Sequence, residues 1–218
     1  MSSHVSRALV DRVREEAGAF FRGARGSHDW DHTERVYRLC QKIGRKEGAD
    51  PGVLALAALL HDIGRAEEDR AHGRICHARA GAIKAQAILK RLGCDRATIA
   101  AVTRCIATHR FRRGGAPRSI EARVLYDADK LDSIGAVGVG RAFLFAGEVG
   151  ARLHDPSIDV RKTRPYTKDD TAYREYLVKL SRVKERMTTR EGRRLASDRH
   201  RYMAGFFARL NKETAGAL

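Results

Sequence analysis

His32, the adjacent pair His61-Asp62, His77, His109 and Asp129 are the residues of this chain whose types and order could do chemistry. The pair closes an apolar run in Leu59-Leu60-His61-Asp62-Ile63-Gly64-Arg65. Placing an ionised carboxylate beside a histidine there is unfavourable unless something compensates, and a divalent cation is the strongest compensator available. A donor set of imidazoles and carboxylates suits Mn, Fe, Mg, Co or Zn rather than a thiolate-seeking metal. The expected chemistry is that of a metal-dependent enzyme.

The elements that would have to position these groups are helices. As neighbours on a helix, His61 and Asp62 point ~100° apart, so both reach one ion only near its end. Gly64 supplies that end. His32 follows Asp29 and Asp31, either of which can cap the helix that carries it. Asp129 stands with Asp127 and Asp132 beside Leu125, Leu131 and Ile134. Helical spacing separates Asp129 from the other two acids, although three acids together also fit a solvated face.

Helix signals run through the whole chain. Gly48 followed by Asp50-Pro51 is a helix stop, then an N-cap with proline in the first turn, and Gly93 before Asp95 repeats the device. Thr188-x-x-Glu191 has the form of a capping box. Val36, Leu39, Cys40 and Ile43 keep a 3–4 spacing, as do Tyr173, Tyr176, Leu177 and Leu180. No stretch alternates apolar and polar residues over strand length. The fold class is all-α, with helices expected over 4–22, 31–47, 51–63, 75–92, 95–109, 118–132, 133–148, 168–188 and 189–213. Residues 64–74 and 154–167 read as long irregular stretches, of the kind that often carry function. We read residues 1–218 as a single domain, with its metal-binding core over about 25–150 and a C-terminal helical appendage over about 165–214.

Composition narrows the class further. The first residues carry Asp11, Glu15 and Glu16 among scattered apolar positions, an amphipathic helix rather than a signal peptide. Val53 to Leu60 is too short to span a bilayer, which takes about 20 residues. A soluble, cytoplasmic protein with no membrane partner is expected. Cys40, Cys76, Cys94 and Cys105 form no Cys-x-x-Cys pair and read as reduced, buried thiols. The formal charge of +16 would attract anions. Basic residues interleave with acids, as in Lys168-Asp169-Asp170, rather than forming an aromatic-studded stripe, so nucleic acid is not the expected partner.

The ordered set His32, Leu59-Leu60-His61-Asp62-Ile63-Gly64 and Asp129 resembles the HD phosphohydrolase superfamily, metal-dependent hydrolases of phosphate esters and phosphoanhydrides. The segments His28-Asp29-Trp30-Asp31-His32-x-x-Arg35-Val36 and Asp127-Ala128-Asp129-Lys130-Leu131-Asp132-Ser133-Ile134-Gly135, with the tail Thr188 to Phe207, are similar to one bacterial branch of uncharacterised HD hydrolases. The resemblance covers nearly the whole chain and implies an all-α HD-domain helical bundle with a C-terminal helical hairpin. It implies that His32, His61 and Asp129 hold one divalent ion and that Asp62 is shared with a second. His77, in His77-x-x-x-Gly81-Ala82, and His109 would complete the second position, as in two-metal relatives such as HD-GYP phosphodiesterases. Substrate contact or helix-end packing is the other reading of these two histidines. The Gly-Tyr-Pro element is missing, so cyclic-dinucleotide specificity does not carry over.

Asp62, Arg65, Lys130 and His28 are the expected catalytic residues. Arg65 stands where related two-metal proteins often carry Lys, and with Lys130, Arg164 and Tyr166 it forms the expected substrate-binding set. His28, His109 and Glu67 are the candidates for general acid. The expected reaction is hydrolysis of a phosphoester or phosphoanhydride bond in a small molecule, foremost a nucleotide, by hydroxide generated at the metal. A di-iron oxygenase on the same scaffold and a non-catalytic nucleotide-binding sensor are the competing readings. The exact substrate, the metal, the number of ions and the oligomeric state are left open by the sequence.

Overall fold

Val53 to Leu60 is a run with no polar face, and the helix it forms, α3 (Pro51–Leu60), is buried along all eight of those residues, Val53, Leu54, Ala55, Leu56, Ala57, Ala58, Leu59 and Leu60. Each fully buried leucine contributes about 1.5–3 kcal/mol relative to exposure. A helix that is apolar all round has to be central. A computed structural model shows this arrangement; it describes residues 5–22, 29–71, 74–110 and 115–218, with the side chain of Asp69 excepted.

All regular structure among the described residues is helical. The chain divides into two compact units, Met1–Asp129 and Lys130–Leu218. In the first, α3 packs against α1 (Arg7–Ala19), α2 (Trp30–Glu47), α5 (His77–Arg91) and α6 (Arg96–Thr108). The short α4 (Arg65–Arg70) lies on α5, and α7 (Ile120–Leu131) runs across the boundary between units. The helix ends follow the sequence signals. Gly48 takes the left-handed conformation at φ 69° to close α2. The Asp50 carboxylate accepts from the Gly52 and Val53 amides at 2.8 and 3.0 Å to open α3. Asp95 does the same for α6 through Ala97 and Thr98, both at 2.9 Å.

The second unit contains α8 (Gly135–Glu148), α9 (Ala172–Val178) and α10 (Arg190–Thr214). Both α8 and the 3-10 segment Leu180–Arg186 pack on α10. Tyr173 and Tyr176 lie against Phe207 with ring centroids 5.6 and 4.7 Å apart, so the apolar spacing of 173–180 is used as expected.

Four expectations are corrected. Residues 64–74 are not wholly irregular, because Arg65-Ala66-Glu67-Glu68-Asp69-Arg70 forms the six-residue helix α4, too short to show a period. The helix expected over 168–188 breaks at Lys179, where φ is −141°, and continues as a 3-10 helix. In that tighter winding residues i and i+3 eclipse, which puts the buried Leu180 and Val183 on one side. Thr189 rather than Thr188 caps α10, its hydroxyl accepting from the Gly192 amide at 2.9 Å, while Glu191 turns to Arg194 at 2.7 Å. All four cysteines are free, but only Cys40 and Cys105 are buried; Cys76 and Cys94 are half-buried.

Candidate metal centre

Helix ends place every candidate ligand. His32 is in the first turn of α2, where the Asp29 carboxylate accepts its amide at 3.0 Å and fixes the N-terminus. His61 ends α3 and Asp62 follows in the turn that Gly64 closes. His77 is the first residue of α5, and His109 ends α6. Asp129 sits near the end of α7. Two glycines let the segments meet. A Cβ on Gly64 would lie 2.3 Å from the His77 carbonyl oxygen and 2.5 Å from the Gly81 nitrogen. Gly81 in turn lies against the His61 carbonyl.

These side chains fall into two groups, His32 with His61 and Asp129, and Asp62 with His77 and His109, each with its ligand atoms within 4.8 Å of one another. In the first group His32 Nε2 lies 3.4 Å from His61 Nε2 and 3.5 Å from Asp129 Oδ1. In the second, His77 Nε2 and His109 Nε2 are 3.2 Å apart. Asp62 faces both. Its Oδ2 is 3.8 Å from the Nε2 atoms of His32 and His61, and its Oδ1 is 3.3 Å from His77 Nε2 and 3.6 Å from His109 Nε2. All of these residues are buried except Asp129, whose side chain is 15% exposed.

The donor chemistry fits a cation at each group. His61 Nδ1 donates to the Ala58 carbonyl at 2.7 Å, and His109 Nδ1 donates to the Ile106 carbonyl at 2.7 Å. His77 Nδ1 donates to Glu68 Oε2 at 2.5 Å. In a neutral ring whose Nδ1 is the donor, the Nε2 atom carries the lone pair. Two such lone pairs 3.2 Å apart, as on His77 and His109, repel unless positive charge lies between them. Donor atoms sharing an ion at about 2.0–2.2 Å stand roughly 3–3.5 Å apart, as do the Nε2 atoms of His32 and His61 at 3.4 Å and of His77 and His109 at 3.2 Å. Burial lowers His61 and His77 to about 4, against the opposing pull of Asp62, so both rings are neutral and ligand-competent at neutral pH. Burial would raise the Asp62 carboxyl, but Arg65 and the surrounding histidines outweigh it and hold it well below the usual carboxylate range.

The remaining candidates are placed less uniformly. Arg65 donates to Asp62 Oδ2 at 2.9 Å and lies 3.5 Å from Glu68. Lys130 follows Asp129 on α7 and is half-buried. Arg164 and Tyr166 are exposed residues of the second unit. Tyr166 holds a left-handed backbone at φ 62°, its amide donating to Asp170 Oδ2 at 2.8 Å. His28 lies outside the described residues. Glu67, a candidate acid, is bound instead by Lys84 and by Arg70 at 3.3 Å. Asp127 and Asp132 are buried rather than solvated, and Arg141 pairs with Asp132 at 2.9 Å. Glu68 and Arg110, which sequence reasoning missed, sit directly behind His77, with Arg110 Nη1 donating to Glu68 Oε1. Burial would raise the Glu68 carboxyl, but the hydrogen bonds from His77 and Arg110 bring it below the usual range.

Comparison with known proteins places this chain among relatives. The HD domain family matches residues 29–134. The uncharacterised protein YpgQ of Bacillus subtilis is 33% identical over 209 residues, covering 95% of this chain and 94% of its own length. The crystal structure of Bacillus subtilis YpgQ in complex with ADP superposes with a TM-score of 0.72 at 32% identity, covering 94% of each chain. An HD-superfamily hydrolase from Bacillus thuringiensis gives 0.74 at 27% identity, covering 96% of this chain and 98% of that one.

Proposed function

The chain belongs to the HD-domain superfamily, and from that premise we propose that it is a metal-dependent hydrolase of phosphoester or phosphoanhydride bonds in a nucleotide. The observation that carries the reading is the position of Asp62, with one carboxylate oxygen turned toward His32 and His61 and the other toward His77 and His109. A shared carboxylate between two imidazole groups is the arrangement of a two-ion centre, which clamps both the attacking and the leaving oxygen of an in-line displacement. The ADP complex of YpgQ supports a nucleotide as the substrate class. Among the described residues no helix is long and apolar enough to cross a membrane.

In this reading His32, His61 and Asp129 hold one ion, His77 and His109 hold the other, and Asp62 serves both. A divalent ion held by these residues would supply a water of lowered pKa, toward ~7, and a Lewis acid for a phosphoryl oxygen. The chain's own contribution is fixed geometry. The Nδ1 donors of His61 and His109 are spent on their own helices, so their Nε2 atoms can only face the centre. Arg65 offsets the Asp62 charge and presents a fork suited to phosphate oxygens. Burial excludes competing water from the ligands and strengthens each of these interactions.

The test combines metal analysis with a phosphate-release screen of nucleoside mono-, di- and triphosphates under Mn, Co, Mg and Fe. Two ions per chain are expected in the wild type, one in His109→Ala, and none with turnover in Asp62→Ala, whose helical circular dichroism should be unchanged. Hydrolysis by metal-free Asp62→Ala protein would sink the reading. Oxygen uptake with ferrous iron and no phosphate release would replace it with the oxygenase, and tight nucleotide binding without turnover with the sensor.

A further inference from the structure

The three histidines whose Nδ1 partners are described are not backed alike. His61 and His109 each donate to a carbonyl three residues earlier in their own helix, a neutral acceptor that the main chain supplies. His77 is the first residue of α5 and has no helical turn before it. Its Nδ1 lies 2.5 Å from a carboxylate oxygen, Glu68 Oε2, to which it donates, with Arg110 Nη1 farther off at 3.2 Å. Glu68 belongs to α4, is only 8% exposed, and is anchored by Arg110 on Oε1 and by Arg65 Nη1 3.5 Å from Oε2. A buried carboxylate with two cationic neighbours is held ionised and in place.

We propose that Glu68 is the positioning residue for the ion held by His77, His109 and Asp62. It fixes the His77 tautomer so that Nε2 offers its lone pair toward His109 Nε2 and Asp62 Oδ1, and its charge makes that lone pair a stronger donor. Arg110 and Arg65 keep Glu68 from withdrawing into solvent. Occupancy beside His77 therefore depends on a carboxylate behind one of its ligands, whereas His61 and His109 are backed by backbone carbonyls. The inference rests on the two-ion reading above.

The experiment uses the full chain loaded with Mn(II). Metal content is measured across a buffered Mn(II) series for wild type, Glu68→Gln and Glu68→Ala, with electron paramagnetic resonance on the same samples. Loss of such a partner weakens metal binding by about 10–100-fold. Glu68→Ala is expected to lose one of two ions over that range, leave the other at wild-type affinity, and exchange the coupled Mn-pair signal for that of an isolated ion. Glu68→Gln keeps an acceptor without the charge and is expected to fall between. A Glu68→Ala protein that binds both ions with wild-type affinity and keeps the coupled signal overturns the proposal. Should that variant lose wild-type circular dichroism, Glu68→Gln decides, and unchanged second-ion affinity there overturns it equally. A wild type that takes up only one ion overturns the two-ion reading itself, a result distinct from a change confined to the variants.

Discussion

Arg65 sits closest to a choice between roles. Its guanidinium is 2.9 Å from Asp62 Oδ2 and 3.5 Å from Glu68, so it touches the two carboxylates that organise the centre. If it serves phosphate, Arg65→Ala should lower kcat/KM by about 10–100-fold, the range set by one or two charge-assisted hydrogen bonds, with metal content unchanged at saturating metal. Arg65→Lys should recover only part of the loss, since an ammonium cannot match the bidentate fork. Steady-state kinetics beside metal analysis checks this, and loss of metal in parallel with activity would reduce Arg65 to a partner of Asp62. The residues legible in the sequence were those whose side-chain type is scarce and chemically committed. Histidines and an aspartate next to apolar runs stand out, and the six proposed ligands fall into two groups of three, with Asp62 facing both. Glu68 and Arg110 did not stand out because acid and base are common here. Which of the adjacent acids Glu67 and Glu68 is buried cannot be told without knowing how α4 lies. Glu67, the acid of that pair named as a general-acid candidate, is held by Lys84 and Arg70.

At the scale of elements, the centre depends on the end of α3 reaching the start of α5. Gly64 makes that approach possible: an added Cβ would lie 2.3 Å from a backbone oxygen of His77, a distance that no side-chain adjustment relieves. Gly81, on the other side of the same contact, has its nearest neighbour at 3.3 Å. Gly64→Ala should therefore destabilise the first unit by about 1–3 kcal/mol, the usual range for overpacking, and weaken metal binding by displacing Asp62 from His77. Gly81→Ala should change the melting temperature much less. Thermal unfolding of both variants decides the matter, and a Gly64→Ala protein as stable as Gly81→Ala would show that the approach is looser than described. Caps such as Asp50-Pro51 and Asp95 were readable because they satisfy helix amides locally. The break at Lys179 and the helix α4 were not, because one follows from where Leu180 and Val183 must be buried and the other is only six residues long.

For the whole molecule the dominant feature is a formal charge of +16. It is the excess of 43 basic over 27 acidic residues, and several of the balanced charges pair along helices: Arg194 lies 2.7 Å from Glu191, Arg209 2.6 Å from Glu213 and Lys179 2.6 Å from Glu175. Exposed pairs of this kind contribute little stability. They do break up the basic surface, which is the interleaving that made nucleic acid the weaker expectation. What survives at long range is the net charge, and a net positive field draws anions by raising the encounter rate rather than by altering the chemical step. Screening shortens from about 10 Å at 0.1 M salt to about 3 Å at 1 M. With a polyanionic nucleotide as substrate, kcat/KM should therefore fall several-fold as salt rises over that range, while kcat stays nearly flat. A monoanionic phosphodiester should show a much weaker salt dependence. Oligonucleotides tested at low salt should show no steep, phosphate-counting dependence of binding on ionic strength. If kcat falls with salt as strongly as kcat/KM, the charge acts inside the centre, and the place to look is Arg65 rather than the surface.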